Sequence, residues 1–564
     1  MASYLSISAA AQLSSIPDEN APRFPVQGVV LNSLTHEPIA RALVENNAAA
    51  TLTDGEGHFE LSLPGGVTTL SVRRPGYNSQ SQESNHTVHI AANTPELTFT
   101  LTPEASITGH VTLSTGEPAG NITFMAYRRS LIEGHEFWTM GNSAATDSEG
   151  TFRMFNLETP GIWILCSVPM EDHDAPRVAG KEPAATTTGY PSVCYPGSIP
   201  VSSDRQPSNA LPLSPGQQAE LEINLTRQPF YRVAIAAPNV SGTEGVSVDV
   251  HDPAGRTLNF PLEWNAAKRV AFMYLPSGQY YVDGHTFGGG SQSYGRVDFR
   301  VGAAPLSGLS MPLLPLHAIP VDIRKEFSSA QQKAGQGGSI SGLARGDDGP
   351  GLNLMLISAD AAIGEPTGGA LNQRPGSSTF EWADIVPGRY WVRAMPYEGY
   401  VASIASGSAD LTRQPLDIGP GSSSAPIQIT LRNDGGQIQC VVNPPSGSDS
   451  AAAAASDTQA GEMHVSWIYA IPTWQTASQI PQVQGLIPSA EPVTILNLAP
   501  GTYRVVAYDQ SQQIDLGDAR QLAEIAAKGQ TVTVTPGAVT SVRVDLIHAT
   551  GASPEGNEGV QSVD

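Results

Sequence analysis

The chain has 564 residues, more than a single hydrophobic core holds, so it divides into several domains of about 100–150 residues. Its 56 Gly, 45 Pro and only 15% charged residues describe a turn-rich chain in which helices break and β-branched side chains pair, so an all-β class is expected. A formal charge of −23 excludes nucleic acid as a partner, because a polyanion is held by clustered Lys and Arg that displace its counterions.

The first segment, 1–24, opens MASYLSISAAAQLSS. Ala9, Ala10 and Ala11 before Gln12 resemble the cleavage region of a secretory signal, but the cationic start and a full apolar core are missing. The segment reads as the remnant of a signal peptide whose beginning lies upstream, or as an ordinary mobile terminus. The first reading is preferred because the rest of the chain looks extracellular. No apolar run reaches the roughly 18 residues of a membrane helix, so no membrane insertion is expected.

Next comes ATLTDGEGHFELSL, echoed as ATDSEGTFRM at 145–154. Two carboxylates, two glycines and His58 within a few positions suggest a metal or catalytic site. A calcium loop of EF-hand type, however, needs further oxygen ligands at alternate positions and a terminal Glu. Asp54, Glu56 and Gly57 fit a hairpin corner better, with Phe59 returning to the core. The echo keeps those parts and puts Thr151 where His58 stood.

A longer phrase recurs along the whole chain: LSLPGGVTTLSV (61–72), FNLETPGIWILCSV (155–168), MYLPSGQYYVDG (273–284), ADIVPGRYWVRA (383–394) and LNLAPGTYRVVA (496–507). Its prolines, Pro64, Pro160, Pro276, Pro387 and Pro500, are 96, 116, 111 and 113 residues apart. Solenoid repeats of about 20–50 residues cannot bury a core alone, whereas units of this length can. Pro presets the first corner of a turn, and Gly is expected to take the positive φ of a type II turn. The strand that follows alternates, so Tyr280 with Val282, Tyr390 with Val392, Tyr503 with Val505 and Trp163 with Leu165 should face a core, with Arg393 and Arg504 outward.

Strand, turn and strand repeated in this way predict tandem antiparallel β-sandwich domains over 25–102, 103–227, 228–316, 317–432 and 433–549. Weak points fall at AGQGGS (334–339), GPGSSSAP (419–426) and a polar loop at 445–462. One short helix is expected at 516–528, with Leu522, Ile525 and Ala526 as its apolar stripe and Gly529 as its stop. The tail 550–564 is polar and expected to be disordered.

The residues of the first domain resemble a known family. Gly28-Val29-Val30, Pro38-Ile39 with Ala42 and Val44, Thr53-Asp54 with Gly57 and Phe59, and Arg74 with Gly76-Tyr77 are marks of the carboxypeptidase regulatory-like domain. That is a transthyretin-like sandwich also classed with carbohydrate-binding-like folds. ITGHVTLSTGEPAGN and ATDSEGTF repeat the pattern more loosely in the second domain. GYPSVCYPGSIP (189–200), and LAPGTYRVVAYD with the helix after it, resemble large multi-domain proteins of soil Acidobacteria, with Cys194 where an aromatic is usual. The resemblance implies a scaffold or binding role, since the domain accompanies a zinc peptidase and does not itself catalyse.

The residues carry no recognisable catalytic motif. A zinc carboxypeptidase needs a His-x-x-Glu pair and a distant His, and none of the twelve histidines begins one. His135-Glu136 lacks a second histidine, and His86 with His89 would point to opposite faces of a strand. GGSISG (337–342) has Ile where a nucleophile elbow needs Ser. No catalytic residue, metal or cofactor is therefore assigned. Cys166 and Cys194 could pair, although three cysteines make no disulfide framework.

For ligand binding the best candidates are the aromatics of HVSWIYAIPTW: Trp467 and Tyr469 on one strand face, and Trp474 after a Pro turn. Burial in the last core explains each of them as well. Trp138 and Trp264 lie in more polar sequence without a visible partner. The chain thus reads as an exported, non-catalytic envelope protein acting in scaffolding, adhesion or recognition, with a polysaccharide or cell-surface protein as partner. A carbohydrate-binding array, or an accessory protein to a peptidase or transporter, are the alternatives.

Overall fold

The structure, a computed structural model, describes residues 22–46, 49–78, 85–132, 135–171, 184–200, 209–240, 245–287, 292–328, 351–363, 367–368, 371–373, 379–421, 424–443, 465–474, 482–486, 492–508, 512, 514 and 519–547. The stretch through Ala21, the Gly-rich 334–339, the polar loop 445–462 and the tail 550–564 lie outside them. The described residues fall into two compact units: one runs up to Ser106 and includes Pro215–Gln217, and the other is the remainder.

In the first unit, strands His58–Pro64, Arg23–Asn32 and Leu97–Leu101 form one sheet, and Ala50–Leu52, Leu43–Glu45, Gly66–Arg73 and Asn85–Ile90 form another. The first strand begins at Arg23, inside the expected N-terminal segment. Alternation in HFELSLP sends Phe59, Leu61 and Leu63 inward, where they meet Val44, Leu70, Val72 and Ile90 of the other sheet in a single core. Such a core, with every side chain touching several others, is what makes a unit of this length stable by itself.

The acidic stretch of this unit is a corner. Asp54 Oδ1 accepts from the backbone N–H of Glu56 at 3.0 Å and of His58 at 2.8 Å. Buried Thr53 accepts from Ala42 N at 2.8 Å and donates to Ile39 O at 2.6 Å. In the echo, Asp147 Oδ1 accepts from Glu149 N and Thr151 N, both at 2.9 Å. Thr146 likewise accepts from Ile122 N at 2.9 Å and donates to Ala119 O at 2.5 Å. Phe59 and Phe152 lie on Gly28 and Gly109, where an added Cβ would come within 2.6 and 2.1 Å of the rings. Asp252 builds a third such corner in DPAGR, accepting from Ala254 N and Arg256 N at 3.0 Å each. Each carboxylate is occupied by backbone donors, the ordinary work of an Asx turn.

Gly57 and Gly150 sit at φ +78° and +74°, and a Cβ there would stand 2.8 and 2.4 Å from the carbonyl oxygens of Val30 and Val111. Gly57→Ala and Gly150→Ala are each expected to cost about 1–3 kcal/mol, from the left-handed backbone and the clash together. Calorimetry of the full chain should show one transition lowered by each variant. Unchanged transitions would contradict this account of the corner.

In the second unit the segment after Ser106 repeats the first arrangement, with Thr151–Leu157, Ala105–Leu113 and Gln218–Leu225 in the same order across one sheet. Its partner sheet is built on His135–Ala145, Thr123–Ile132 and Gly161–Ser167. Three further cores follow: one includes Val233, Met273 and Val282, a second Val321, Trp382 and Ile429, and a third Ile438, Val505 and Val544. Met170–Glu171 and Thr186–Tyr190 precede the expected boundary at 227, yet they extend the sheet of Gln228–Ala236.

Most ladders among the described residues are antiparallel, as expected, but Gly501–Tyr508 runs parallel to Val539–Ile547, and so do four pairs that close a core: Arg23–Asn32 with Leu97–Leu101, Gln228–Ala236 with Leu306–Ser310, Ile319–Glu326 with Ile427–Arg432, and Gly436–Asn443 with Val539–Ile547. In each of those four, an early strand of a core pairs with a late one, so the chain enters at one end of that sandwich and leaves at the other.

The recurring Pro-Gly phrase is a tyrosine hook. The hydroxyls of Tyr280, Tyr390 and Tyr503 donate to the carbonyls of Pro276, Val386 and Ala499, four residues back, at 3.2, 3.1 and 2.8 Å. Gly278 and Gly388 do not take the expected positive φ; a Cβ at either would come within 2.9 Å of the folded-back tyrosine hydroxyl. Gly161 plays the same part for Trp163, whose Nε1 would stand 2.6 Å away from such a Cβ. Left-handed backbone falls instead on Asn156, Asp384 and Asn497, just before the turn, where short polar side chains tolerate it. Val282, Val392, Val505 and Leu165 are buried as expected. Arg393, expected outward, is 4% exposed. Arg504 is half-buried.

The helix spans Ala519–Lys528. Ile525 is buried against Tyr469, Ile471 and Val506, Leu522 is half-buried, and Ala526, expected in the apolar stripe, is exposed.

A further cluster joins segments far apart in sequence. Tyr127, Trp138, Ile164, Cys166 and Ile199 pack with Ala254 and Ala362. The backbone N–H of Trp138 donates to Ala362 O at 2.8 Å, and Ile363 N donates to Ala254 O at 3.3 Å. Arg256, 8% exposed, pairs with Asp252 at 3.0 Å and donates to Ser192 Oγ at 2.7 Å. Cys166 and Cys194 face each other across neighbouring strands and form a disulfide. Cys440 is buried, and burial pushes its thiol up to about 12.

Candidate functional site

The three aromatic candidates do not share one surface. Tyr469 is 2% exposed, and its hydroxyl donates to Gln512 O at 3.1 Å and accepts from Gln512 N at 2.7 Å. Trp467 is half-buried beside it, on the strand face that packs toward the helix. Pro472 turns the chain, so that Trp474 belongs to the opposite core, edge-on to Tyr503 with centroids 5.1 Å apart. Its ring rests on Gly501, where a Cβ would come within 2.3 Å. Trp138 is buried in the cluster described above, and Trp264 is half-buried against a core.

Trp474 lines a cleft of about 850 Å³. One wall is formed by strands Gly388–Pro396 and Tyr400–Ser406 with the turn at Asp410, the other by Pro472, Trp474, Tyr503 and the loop at Asn497–Pro500. Three guanidiniums, Arg393, Arg413 and Arg432, reach it with a single carboxylate, Asp410. Arg432 pairs with Asp434 at 2.7 Å, and Tyr400 donates to the same carboxylate at 3.0 Å. Asp410 accepts from Thr412 Oγ1 at 2.6 Å and Thr412 N at 3.0 Å, which holds its carboxyl below the usual range. Arg413 stands 3.6 Å from Asp410 and is 70% exposed. Burial pulls the Arg393 guanidinium down to about 9. Tyr397, 72% exposed, occupies the turn between the two strands of the first wall. Sequence reasoning missed the arginines, since Arg393 was assigned to solvent by alternation alone.

A smaller pocket, about 400 Å³, lies beside Tyr281, Arg296 and Asp298. Arg296 covers the Tyr281 ring at 3.7 Å and His251 stacks on it at 4.6 Å, so that ring is no open platform. His251 stands 3.3 Å from both Asp283 and Thr257. Thr257 is its cross-strand neighbour, and at that distance the row is a long, weak contact between paired strands rather than an activated hydroxyl. Among the described residues no group of three or more His, Cys, Asp or Glu is placed to hold a metal. The side chains of His86, His89 and His135 lie outside the described residues. No helix among the described residues is long and apolar enough to cross a membrane.

The fold defines an all-β protein of packed sheets with a short helix near its C-terminal end. Within it, residues 25–102 match the family model of the carboxypeptidase regulatory-like domain, the family their motifs resemble. No curated protein matches the chain. Among solved structures it is similar to the Bacillus anthracis TIE protein, at 11% identity over 73% of this chain and 69% of that one, with a TM-score of 0.14. It is also similar to a streptococcal ancillary pilin, at 11% identity over 51% and 99%, TM-score 0.17. A third is BcpA, the major pilin subunit of Bacillus cereus, at 10% identity over 58% and 99%, TM-score 0.13. At these TM-scores no function passes from them to this chain.

Proposed function

We propose that the chain is an exported, non-catalytic array of β-sandwich domains, over 25–102, 103–227, 228–316, 317–432 and 433–549, that spaces and presents binding surfaces at the cell envelope. The observation that carries this reading is the parallel pairing of early and late strands in four cores. A sandwich entered at one end and left at the other passes the chain onward, as a spacer requires. The Cys166–Cys194 disulfide supports export, because such bonds persist in oxidising compartments and are rare in reducing ones. The buried thiol of Cys440, disfavoured as a thiolate, supports a non-catalytic role for the remaining cysteine. Partners of such an array would be a polysaccharide or a cell-surface protein, met at surfaces such as the cleft beside Trp474.

Protease treatment of intact cells, and of cells with a permeabilised outer envelope, tests the location. Removal of the protein in at least one of these, with a cytoplasmic marker intact, is the expected result. Protection in both, with loss only after complete lysis, contradicts export. Turnover of a peptide or glycoside panel by the purified chain contradicts the non-catalytic half.

A further inference from the structure

We propose that the sandwich cores are built to carry tension along the chain, so that the array serves as a tether that holds when its ends are pulled apart. The inference deepens the spacer reading and rests on it only in taking the two ends to be fastened to separate bodies.

Geometry is the first argument. In the first, third, fourth and fifth cores an early strand lies parallel beside a late one, and the chain enters at the start of one and leaves at the end of the other. Tension then pulls the two strands past each other along their length. The hydrogen bonds of a parallel ladder are evenly spaced, so they share such a load and must yield together. The same ladder loaded at one end opens bond by bond, at lower force.

Ladder length ranks the cores. In the fifth, the pairing runs from Gln437 opposite Val539 to Asn443 opposite Asp545, and Gly501–Tyr508 flanks the late strand on its other side, also parallel. In the fourth it runs from Val321 opposite Ile427 to Glu326 opposite Arg432. In the first it covers only Gly28 opposite Leu97 to Asn32 opposite Leu101, and the third is shorter still and loses register between Val233 and Ile235.

Side-chain clasps are the second argument. Each of the four ladders is fastened at the end where the chain leaves, the point at which load enters the late strand. Ser33 Oγ meets Thr102 Oγ1 at 3.0 Å just past the first ladder. Asn239 accepts from Leu313 N at 2.9 Å and donates to the Leu313 carbonyl just past the third. Asn433 accepts from Ser328 N at 2.8 Å and donates to Ser328 O at 3.2 Å just past the fourth. Asn443 donates to Asp545 Oδ1 at 2.9 Å within the last pair of the fifth. Each clasp must break before its ladder can slide, and forced opening reads that barrier rather than equilibrium stability.

The test is single-molecule stretching of the full, oxidised chain by tags at its two ends. At about 3.5 Å per residue, spans 319–432 and 436–547 release about 40 nm of chain each, and spans 23–101 and 228–310 about 28 nm. The second core, shortened by its disulfide, falls between them. The long releases should need more force than the short ones. Direction of load is the control. With handles on Ala318→Cys and Ala425→Cys, exposed positions that both lie at the entry end of the fourth ladder, the same core is peeled instead of sheared. Cys440 is buried and the other two cysteines are joined, so the handles take the added thiols alone. The rupture force of the peeled core should fall at least about two-fold below that of either long release. Asn433→Ala, outside the core cluster, should shorten the lifetime of one long release at constant force by about five- to ten-fold and leave the others unchanged. Equal force in the two directions, or short releases that outlast the long ones, overturns the proposal. An unchanged lifetime in Asn433→Ala overturns the part assigned to the clasps. These forces are read on purified protein, so a chain found inside the cell by protease treatment would sink the envelope reading without touching them.

Discussion

Trp138→Ala is expected to destabilise the second unit by about 3–5 kcal/mol, the range for emptying a fully packed aromatic site. Trp138 is 1% exposed and ranks among the largest fully buried side chains of the chain. The cluster around it draws on five places: the strand of Tyr127, the strand of Ile164 and Cys166, Ile199, the corner at Ala254 and the loop at Ala362. Its own N–H is bonded to Ala362, so the indole and the backbone beneath it fasten the same loop. The cavity would therefore open where three segments, each with its own core nearby, are held together. A chain of several cores need not melt in one step. In calorimetry the wild type should show coupled melting of the segments that meet at Trp138, and the alanine variant an earlier, separated transition. Trp138→Phe, which keeps most of the volume, should fall between. An alanine variant with unchanged transitions would show that the cluster does not couple the cores.

Removing the disulfide is expected to cost nearly as much. Cys166 and Cys194 close a loop with a sequence separation of 28, and the chain-entropy model assigns such a loop about 3–4 kcal/mol. The Cys166→Ser, Cys194→Ser double variant should lose that amount in denaturant titrations. Wild type in reductant should behave like the variant, and the variant should not respond to reductant at all. Cys166 also belongs to the cluster around Trp138. The losses should therefore be non-additive when the disulfide and Trp138 are removed together, since sites sharing a cavity couple. Additive losses would place the bond outside the joint.

The local part of this fold was legible in the sequence because it is made by neighbours. Asp54 and Asp147 bond to amides two and four residues on, so acid, glycine and phenylalanine spacing suffices to write the corner. The Pro-Gly phrase located the strands correctly but misassigned the glycine. Its use comes from a tyrosine folding back over the turn, a contact that φ preferences alone do not contain. Alternation likewise placed Tyr390 and Val392 inward but not Arg393, since the period of a strand tells which face a residue is on and not whether that face is covered. Trp138 read as isolated because its cluster is assembled from separate strands and loops, with Ala254 and Ala362 more than a hundred residues away. In HVSWIYAIPTW the shared face of Trp467 and Tyr469 and the turn at Pro472 were readable, whereas the helix that packs over that face and the different core that Trp474 joins after the turn were not.

Thiol accessibility of the protein taken directly from its own cells tests the account most directly. Alkylation under denaturing conditions without reductant should modify Cys440 alone, with Cys166 and Cys194 labelled only after reduction, as an exported chain with a standing disulfide requires. Labelling of all three cysteines without reductant would contradict it.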